Sequence, residues 1–157
     1  MNIKLLVVGK NVKGFVEEAV NEYTKRLKHY INFSIEIIPD VKNASSLSPT
    51  QLKEQEATLI LKHINPEDKV FLLDEHGKEY RSVEFADFLQ KQINLSTKSL
   101  IFVIGGAFGL SDVLKERYKD KISLSKMTFS HQMIRILFTE QLYRAFSIIK
   151  HEPYHNE

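Results

Sequence analysis

Short runs of apolar, β-branched residues alternate along the chain with longer stretches in which apolar positions recur every three or four residues. Asn2–Val8 is apolar nearly throughout, the pattern of a strand buried on both faces. Residues 15–30 then place Phe15, Val16, Ala19, Val20, Tyr23, Leu27 and Tyr30 on one helical stripe. Asn32–Ile38 predicts a second strand, stopped by Pro39. Residues 39–49, with Asn43, Ser45, Ser46 and Ser48, read as a loop. Ser48 and Pro49 suit the cap and first turn of a helix reaching about His63. Residues 69–73 predict a third strand, and Asp74-Glu75-His76-Gly77 a turn behind it. Ser82 reads as the cap of a helix from Val83 to about Ile93, with Glu84 in its acidic first turn. Residues 99–104 form a strongly apolar fourth strand, and a glycine-rich loop, 105–109, follows. Ser111 caps a short helix, residues 121–125 predict a fifth strand, and a last helix spans 130 to about 150, closed by Pro153.

Strand–helix alternation predicts an α/β fold: a mostly parallel sheet with helices on both faces, in one domain over residues 1–157. Ligand sites in such sheets gather at the carboxyl ends of the strands. The ends that matter are Leu73-Asp74, residues 105–109 and residues 125–130. Absence of cysteine excludes disulfide frameworks, zinc ribbons, iron–sulfur ligation and thiol nucleophiles, and fits a cytoplasmic protein. Apolar runs stay far below the ~20 residues of a membrane span. A net charge of +2 permits an anionic partner without demanding one.

Four constellations carry candidate chemistry. In Ile104-Gly105-Gly106-Ala107-Phe108-Gly109-Leu110-Ser111, glycines after a buried strand let a ligand approach the backbone; a tight strand-to-helix turn explains the pair equally well. It is neither a P-loop nor a dinucleotide fingerprint. Leu124-Ser125-Lys126-Met127-Thr128-Phe129-Ser130-His131 joins the fifth strand to the last helix. Along that helix His131 and Arg135 share a face, while Arg144 lies nearly opposite and forms an i,i+4 pair with Glu140. A broad apolar stripe there suggests a subunit interface. The tail, His151-Glu152-Pro153-Tyr154-His155, reads by itself as a frayed chain end, yet it is dense in groups that donate, accept and stack. The basic run Lys25-Arg26-Leu27-Lys28-His29 reads as a solvated face, and Asp74-Glu75-His76 is poorly placed to converge on a metal.

Taken together and in order, these motifs are specific. The chain resembles the RlmH family of SPOUT-class RNA methyltransferases over essentially its whole length. The resemblance rests on Lys4-Leu5-Leu6-Val7-Val8-Gly9-Lys10, Leu73-Asp74-Glu75-His76-Gly77-Lys78, Phe102-Val103-Ile104-Gly105-Gly106-Ala107-Phe108-Gly109-Leu110, Leu124-Ser125-Lys126-Met127-Thr128-Phe129, Gln141-Leu142-Tyr143-Arg144-Ala145 and Pro153-Tyr154-His155. It implies a C-terminal trefoil knot, a homodimer, and S-adenosylmethionine (S-adenosyl-L-methionine) as methyl donor, with no metal and no membrane. Leu73, Gly105, Leu124, Ser125, Lys126, Met127, Thr128 and Phe129 would line the cofactor pocket. The implied reaction is methylation at N3 of a pseudouridine in large-subunit ribosomal RNA, on the assembled ribosome. Arg144, Tyr154, His155 and His131 are the catalytic candidates, His155 first as proton acceptor and Tyr154 against the base. Two positions depart from the family pattern: Ser130 stands where proline is common, and Asn156 where a basic residue is usual. Rival readings are a knotted methyltransferase acting on another RNA nucleotide, a non-catalytic ribosome assembly factor, and a small-molecule enzyme using the glycine loop for phosphate. The last is disfavoured because that loop holds no Lys or Arg.

Overall fold

The computed structural model describes residues 1–156. Five strands, β1 (Asn2–Val8), β2 (Asn32–Ile38), β3 (Lys69–Glu79), β4 (Ser99–Val103) and β5 (Lys121–Ser123), form one sheet in the order β2-β1-β4-β3-β5. All four pairings are parallel, with Leu5 opposite Ile35 on one side and Phe102 on the other. Helices α1 (Phe15–Leu27), α2 (Pro49–Leu61), α3 (Ser82–Asn94), α4 (Asp112–Arg117) and α5 (His131–Ile149) cover both faces.

Period-two alternation assigns the faces. Ile3, Leu5, Val7, Leu100 and Phe102 point to one core, where Leu27 of α1, Phe85 and Leu89 of α3, and Phe138 and Leu142 of α5 meet them. Leu6, Val8, Val70, Leu72, Ile101 and Val103 point to the other, against Ala57 and Ile60 of α2 and Leu114 of α4. Phe102 and Phe138 are wholly buried, with ring centroids 4.8 Å apart. Among the described residues no helix is long and apolar enough to cross a membrane.

Several boundaries differ from the sequence expectation, each for a local reason. The first helix ends at Leu27 because the next amides tighten to i→i−3 bonds, His29 to Arg26 and Tyr30 to Leu27. β3 does not stop at Leu73. It runs to Glu79, and Ile122 of β5 faces both Leu73 and Lys78, so residues 74–77 bulge out of the strand. β5 is shorter than expected: the Ser123 hydroxyl donates to the Ser125 carbonyl at 2.8 Å, and the Met127 amide to Ser125 Oγ at 2.9 Å, turning the chain out of the ladder. Arg81, not Ser82, occupies the cap of α3; its amide donates to Glu84 Oε2 at 2.8 Å. Ser82 instead donates to Gln141 Oε1 at 2.8 Å and ties α3 to α5.

One crossing positions the site. β5 lies at the sheet edge beside β3, yet the start of α5 lies at the end of β1. There the Arg135 guanidinium, fully buried, donates to the carbonyls of Val8 and Gly9 and to Asn11 Oδ1. Residues 124–130 therefore pass over the carboxyl ends of β3 and β4. Thr128 donates to Glu75 Oε2 at 2.7 Å and fastens that passage to the bulge of β3.

Candidate active site

The three strand-end segments enclose a cavity of about 680 Å³, within the range of ~300–1,000 Å³ usual for small-ligand sites. Its apolar wall comes from Leu73, Ile104, Leu110, Ile122 and Leu124, its polar groups from Asp74, Lys115, Ser125 and Thr128. Leu73, Gly105, Leu124, Ser125, Met127, Thr128 and Phe129 all line it, as does His131. Lys126 does not. It is exposed, 3.7 Å from Glu79, beside a smaller groove.

The glycines serve the loop more than the ligand. A Cβ on Gly105 would stand 2.5 Å from the Gly109 carbonyl carbon, and one on Gly106 would stand 2.5 Å from Glu56 Oε1. The loop folds back on itself, with the Gly109 amide donating to the Gly106 carbonyl at 3.0 Å and Gly109 at φ +84°. Behind it lies Glu56 of α2, a buried carboxylate. Burial pushes its carboxyl above the usual range, against the opposing hydrogen bond from the Gly106 amide. Sequence periodicity reads Glu56 as one more polar helix position, and nothing in the pattern singles it out.

At the mouth, burial opposes ionisation of Asp74, but the His76 amide and Lys115, 3.2 Å away, outweigh it and hold the carboxyl below its usual range. Burial, then the charge of Arg135, pushes His131 below the usual imidazole range, so its ring is neutral at neutral pH. Met127, Phe108 and Phe129 line the cavity while 74%, 56% and 39% exposed, an apolar rim open to solvent.

Arg144, Tyr154 and His155 sit elsewhere. Thirteen residues of helix separate Arg144 from His131, about 20 Å along the axis, and none of the three lines the cavity. They form a cluster of their own. Arg144 donates to Glu140 Oε1 from Nε at 3.1 Å and Nη2 at 2.5 Å, and lies 4.8 Å from the Tyr154 ring centre. The Tyr154 hydroxyl donates to the same Glu140 oxygen at 3.1 Å. His155 Nδ1 stands 3.4 Å from Arg144 Nη1. The Tyr30 hydroxyl bonds to Glu152, and the Glu152 amide donates to the Ser147 carbonyl at 2.9 Å, clipping the tail to α5. The i,i+4 pair read from the sequence is present, and it also orders the tail.

The chain has counterparts among known proteins. A family model described as "Predicted SPOUT methyltransferase" matches residues 1–155. The chain belongs to this family. Among SPOUT relatives, the chain is 52% identical over 157 residues to the "Ribosomal RNA large subunit methyltransferase H" of Parabacteroides distasonis, and 54% identical to the protein of that name from Flavobacterium psychrophilum. Both alignments cover the whole of each chain. The SPOUT fold recurs in the probable methyltransferase of Bordetella pertussis (TM-score 0.58, 12% identity, 92% of this chain and 96% of that one). It recurs also in a putative methyltransferase of Legionella pneumophila in complex with S-adenosylmethionine (TM-score 0.50, 12% identity, 92% of this chain and 66% of that one).

Proposed function

We propose that the chain transfers a methyl group from S-adenosylmethionine to N3 of a pseudouridine in large-subunit ribosomal RNA, on the assembled ribosome in the cytoplasm. The observation that carries this is the convergence of three separate strand-end segments on one cavity, in a SPOUT chain more than half identical, end to end, to ribosomal RNA methyltransferases. The passage of residues 124–130 across the sheet supports the reading that this segment is tucked as the expected trefoil knot.

The cavity's donor set fits the cofactor. Leu73, Ile104 and Leu124 offer apolar walls for a nucleoside ring, and Ser125, Thr128 and the backbone of residues 105–110 offer polar partners. When bound, S-adenosylmethionine supplies an electrophilic methyl on a sulfonium, so the reaction needs no metal. The chain's own residues must orient the base and deal with the N3 proton. As that proton leaves, negative charge spreads onto the ring carbonyls, and the Arg144 guanidinium is suited to meet it. His155 accepts from Arg144 through Nδ1 in the resting arrangement and then carries its proton on Nε2. To act as proton acceptor it must leave Arg144 when the base enters. His131, neutral and at the cavity, is the second candidate for that proton.

Arg144, Tyr154 and His155 cannot reach the cavity of their own protomer along a straight α5. We infer that a homodimer brings the tail of one copy to the cavity of the other. The exposed apolar rim of Phe108, Met127 and Phe129 then becomes contact surface.

Deleting the gene and analysing ribosomal RNA nucleosides by mass spectrometry tests the proposal. Loss of N3-methylpseudouridine, restored by the wild-type gene, is expected. Loss of a different methylated nucleoside would keep the methyltransferase and overturn the target. An unchanged nucleoside profile, with no calorimetric binding of S-adenosylmethionine, would favour the assembly factor.

A further inference from the structure

The inward stripe of α2 ends in a cation. Positions 53, 56, 57 and 60 recur at helical spacing. Ala57 and Ile60 are buried in the second core, against the sheet. Glu56, beside them, is buried behind the glycine loop, where a Cβ on Gly106 would stand 2.5 Å from its Oε1. This contact presses α2 against the loop. One turn nearer the helix start, Lys53 is half-buried and lines the cavity with residues 105–110. Glu54, Gln55 and Thr58, on the other side of the same turns, are exposed. Lys53 thus belongs to the packed side of the helix and not to its solvated face.

The other charges that line the cavity are matched. Lys115 pairs with Asp74 at 3.2 Å. Glu75 accepts from Thr128 at 2.7 Å and lies 3.5 Å from His76. Among the described residues none forms an ion pair or hydrogen bond with Lys53, Glu56 included. Partial burial of a cation is costly unless an anion meets it. The proposed cofactor brings one: at neutral pH S-adenosylmethionine carries a sulfonium, an ammonium and a single carboxylate. Asp74 and Glu75 give the β3 side of the cavity negative charge, and Lys53 gives the α2 side its unmatched positive charge. An RNA phosphate could also meet a lysine, but a position on the inward stripe and the cavity wall favours the ligand that enters the cavity.

We propose that Lys53 is a specificity-determining residue of the cofactor site: its ammonium pairs with the carboxylate of S-adenosylmethionine and selects for the amino-acid end of the donor. The inference rests on the reading that this cavity holds S-adenosylmethionine, and the experiment separates the two. Full-length wild type, Lys53→Met and Lys53→Arg are titrated by calorimetry with S-adenosylmethionine and with decarboxylated S-adenosylmethionine. The second ligand keeps the adenosine, sulfonium and ammonium and lacks only the carboxylate. Melting temperature without ligand and KM for ribosomes are recorded for each protein.

The wild type should bind S-adenosylmethionine about tenfold more tightly than the decarboxylated ligand, the scale of a charge-assisted hydrogen bond. Lys53→Met should lose that factor for S-adenosylmethionine and bind the decarboxylated ligand as the wild type does, so that the preference disappears. Lys53→Arg keeps the charge and should retain most of it. Raised salt should narrow the wild-type preference and leave Lys53→Met unaffected. If the wild type binds S-adenosylmethionine and does not distinguish the two ligands, this inference falls and the cofactor reading stands. If the wild type binds neither, the cofactor reading falls, and this inference with it. An equal loss for both ligands in Lys53→Met, or a lowered melting temperature accompanying it, would make Lys53 merely structural and overturn the proposal. Unchanged affinities with a raised KM for ribosomes would assign Lys53 to the RNA and overturn it as well.

Discussion

At the residue scale, two glycines and one histidine show where identity and environment part company. Gly105 and Gly106 are legible as a pair behind a buried strand, but the sequence leaves a ligand and a tight turn as equal reasons for them. The structure shows the loop's own backbone against Gly105 and the Glu56 side chain against Gly106. The two therefore respond differently to alanine. Backbone cannot yield to a methyl at 2.5 Å, so Gly105→Ala should lower stability by about 1–3 kcal/mol, the scale of overpacking a well-filled core. At Gly106 the neighbour is the end of a side chain that can turn aside, so the loss should be smaller and should shrink further in a Glu56→Ala background. Urea unfolding of the wild type, the three single variants and the Glu56→Ala/Gly106→Ala double variant measures both. For His131, the sequence gives only a histidine in a first helical turn. Its neutral state comes from burial and from Arg135 one turn on. An NMR titration should find its pKa below that of a free imidazole. If His131 takes the N3 proton, the acid limb of the rate profile follows that lowered value, activity falling as pH drops through it, and His131→Asn removes the limb.

Elements were legible where local chemistry and packing agree. Ser48, Ser111 and Ser130 each accept from an amide three residues on, so three helix starts follow directly from the caps. The strands over 2–8 and 32–38 have the bounds that their apolar runs suggest. Two elements depend on partners far away in sequence and could not be read locally. The turn at 74–77 is a bulge within β3 because β5 resumes pairing beyond it. The tail is ordered because Tyr30, Glu140 and Tyr143 receive it, although chain ends ordinarily fray. That order has a testable consequence. A chain ending at Pro153 loses Tyr154 and His155, neither of which lines the cavity. Such a protein should bind S-adenosylmethionine with near wild-type affinity by calorimetry and methylate ribosomes at an undetectable rate. Full turnover would remove the tail from the mechanism; lost cofactor binding would make the tail part of the cofactor site.

For the whole molecule, the proposed function requires the two ends of α5 to work together. A cavity with a neutral histidine lies at the helix start, and a guanidinium, phenol and imidazole cluster lies about 20 Å along it. In the two-fold dimer we propose, antiparallel packing of this region would set each cavity beside the partner's cluster and give two composite sites from two identical halves. Composite sites make a prediction that sites within one protomer do not. Ala107→Trp places a large ring in the cavity from an exposed loop position and should block the cofactor. The chain ending at Pro153 lacks the tail. Each protein alone should be inactive. Unfolded together and refolded at equal concentration, they should pair at random, and half of the dimers should be mixed. One of the two sites in each mixed dimer then joins an intact cavity to an intact tail, so about a quarter of the wild-type activity should return. Recovery on that scale requires the tail to act across the subunit interface. No recovery, with mixed dimers demonstrated by mass spectrometry, would mean that α5 bends within one protomer to close its own site, and the apolar rim of Phe108, Met127 and Phe129 would then need another occupant.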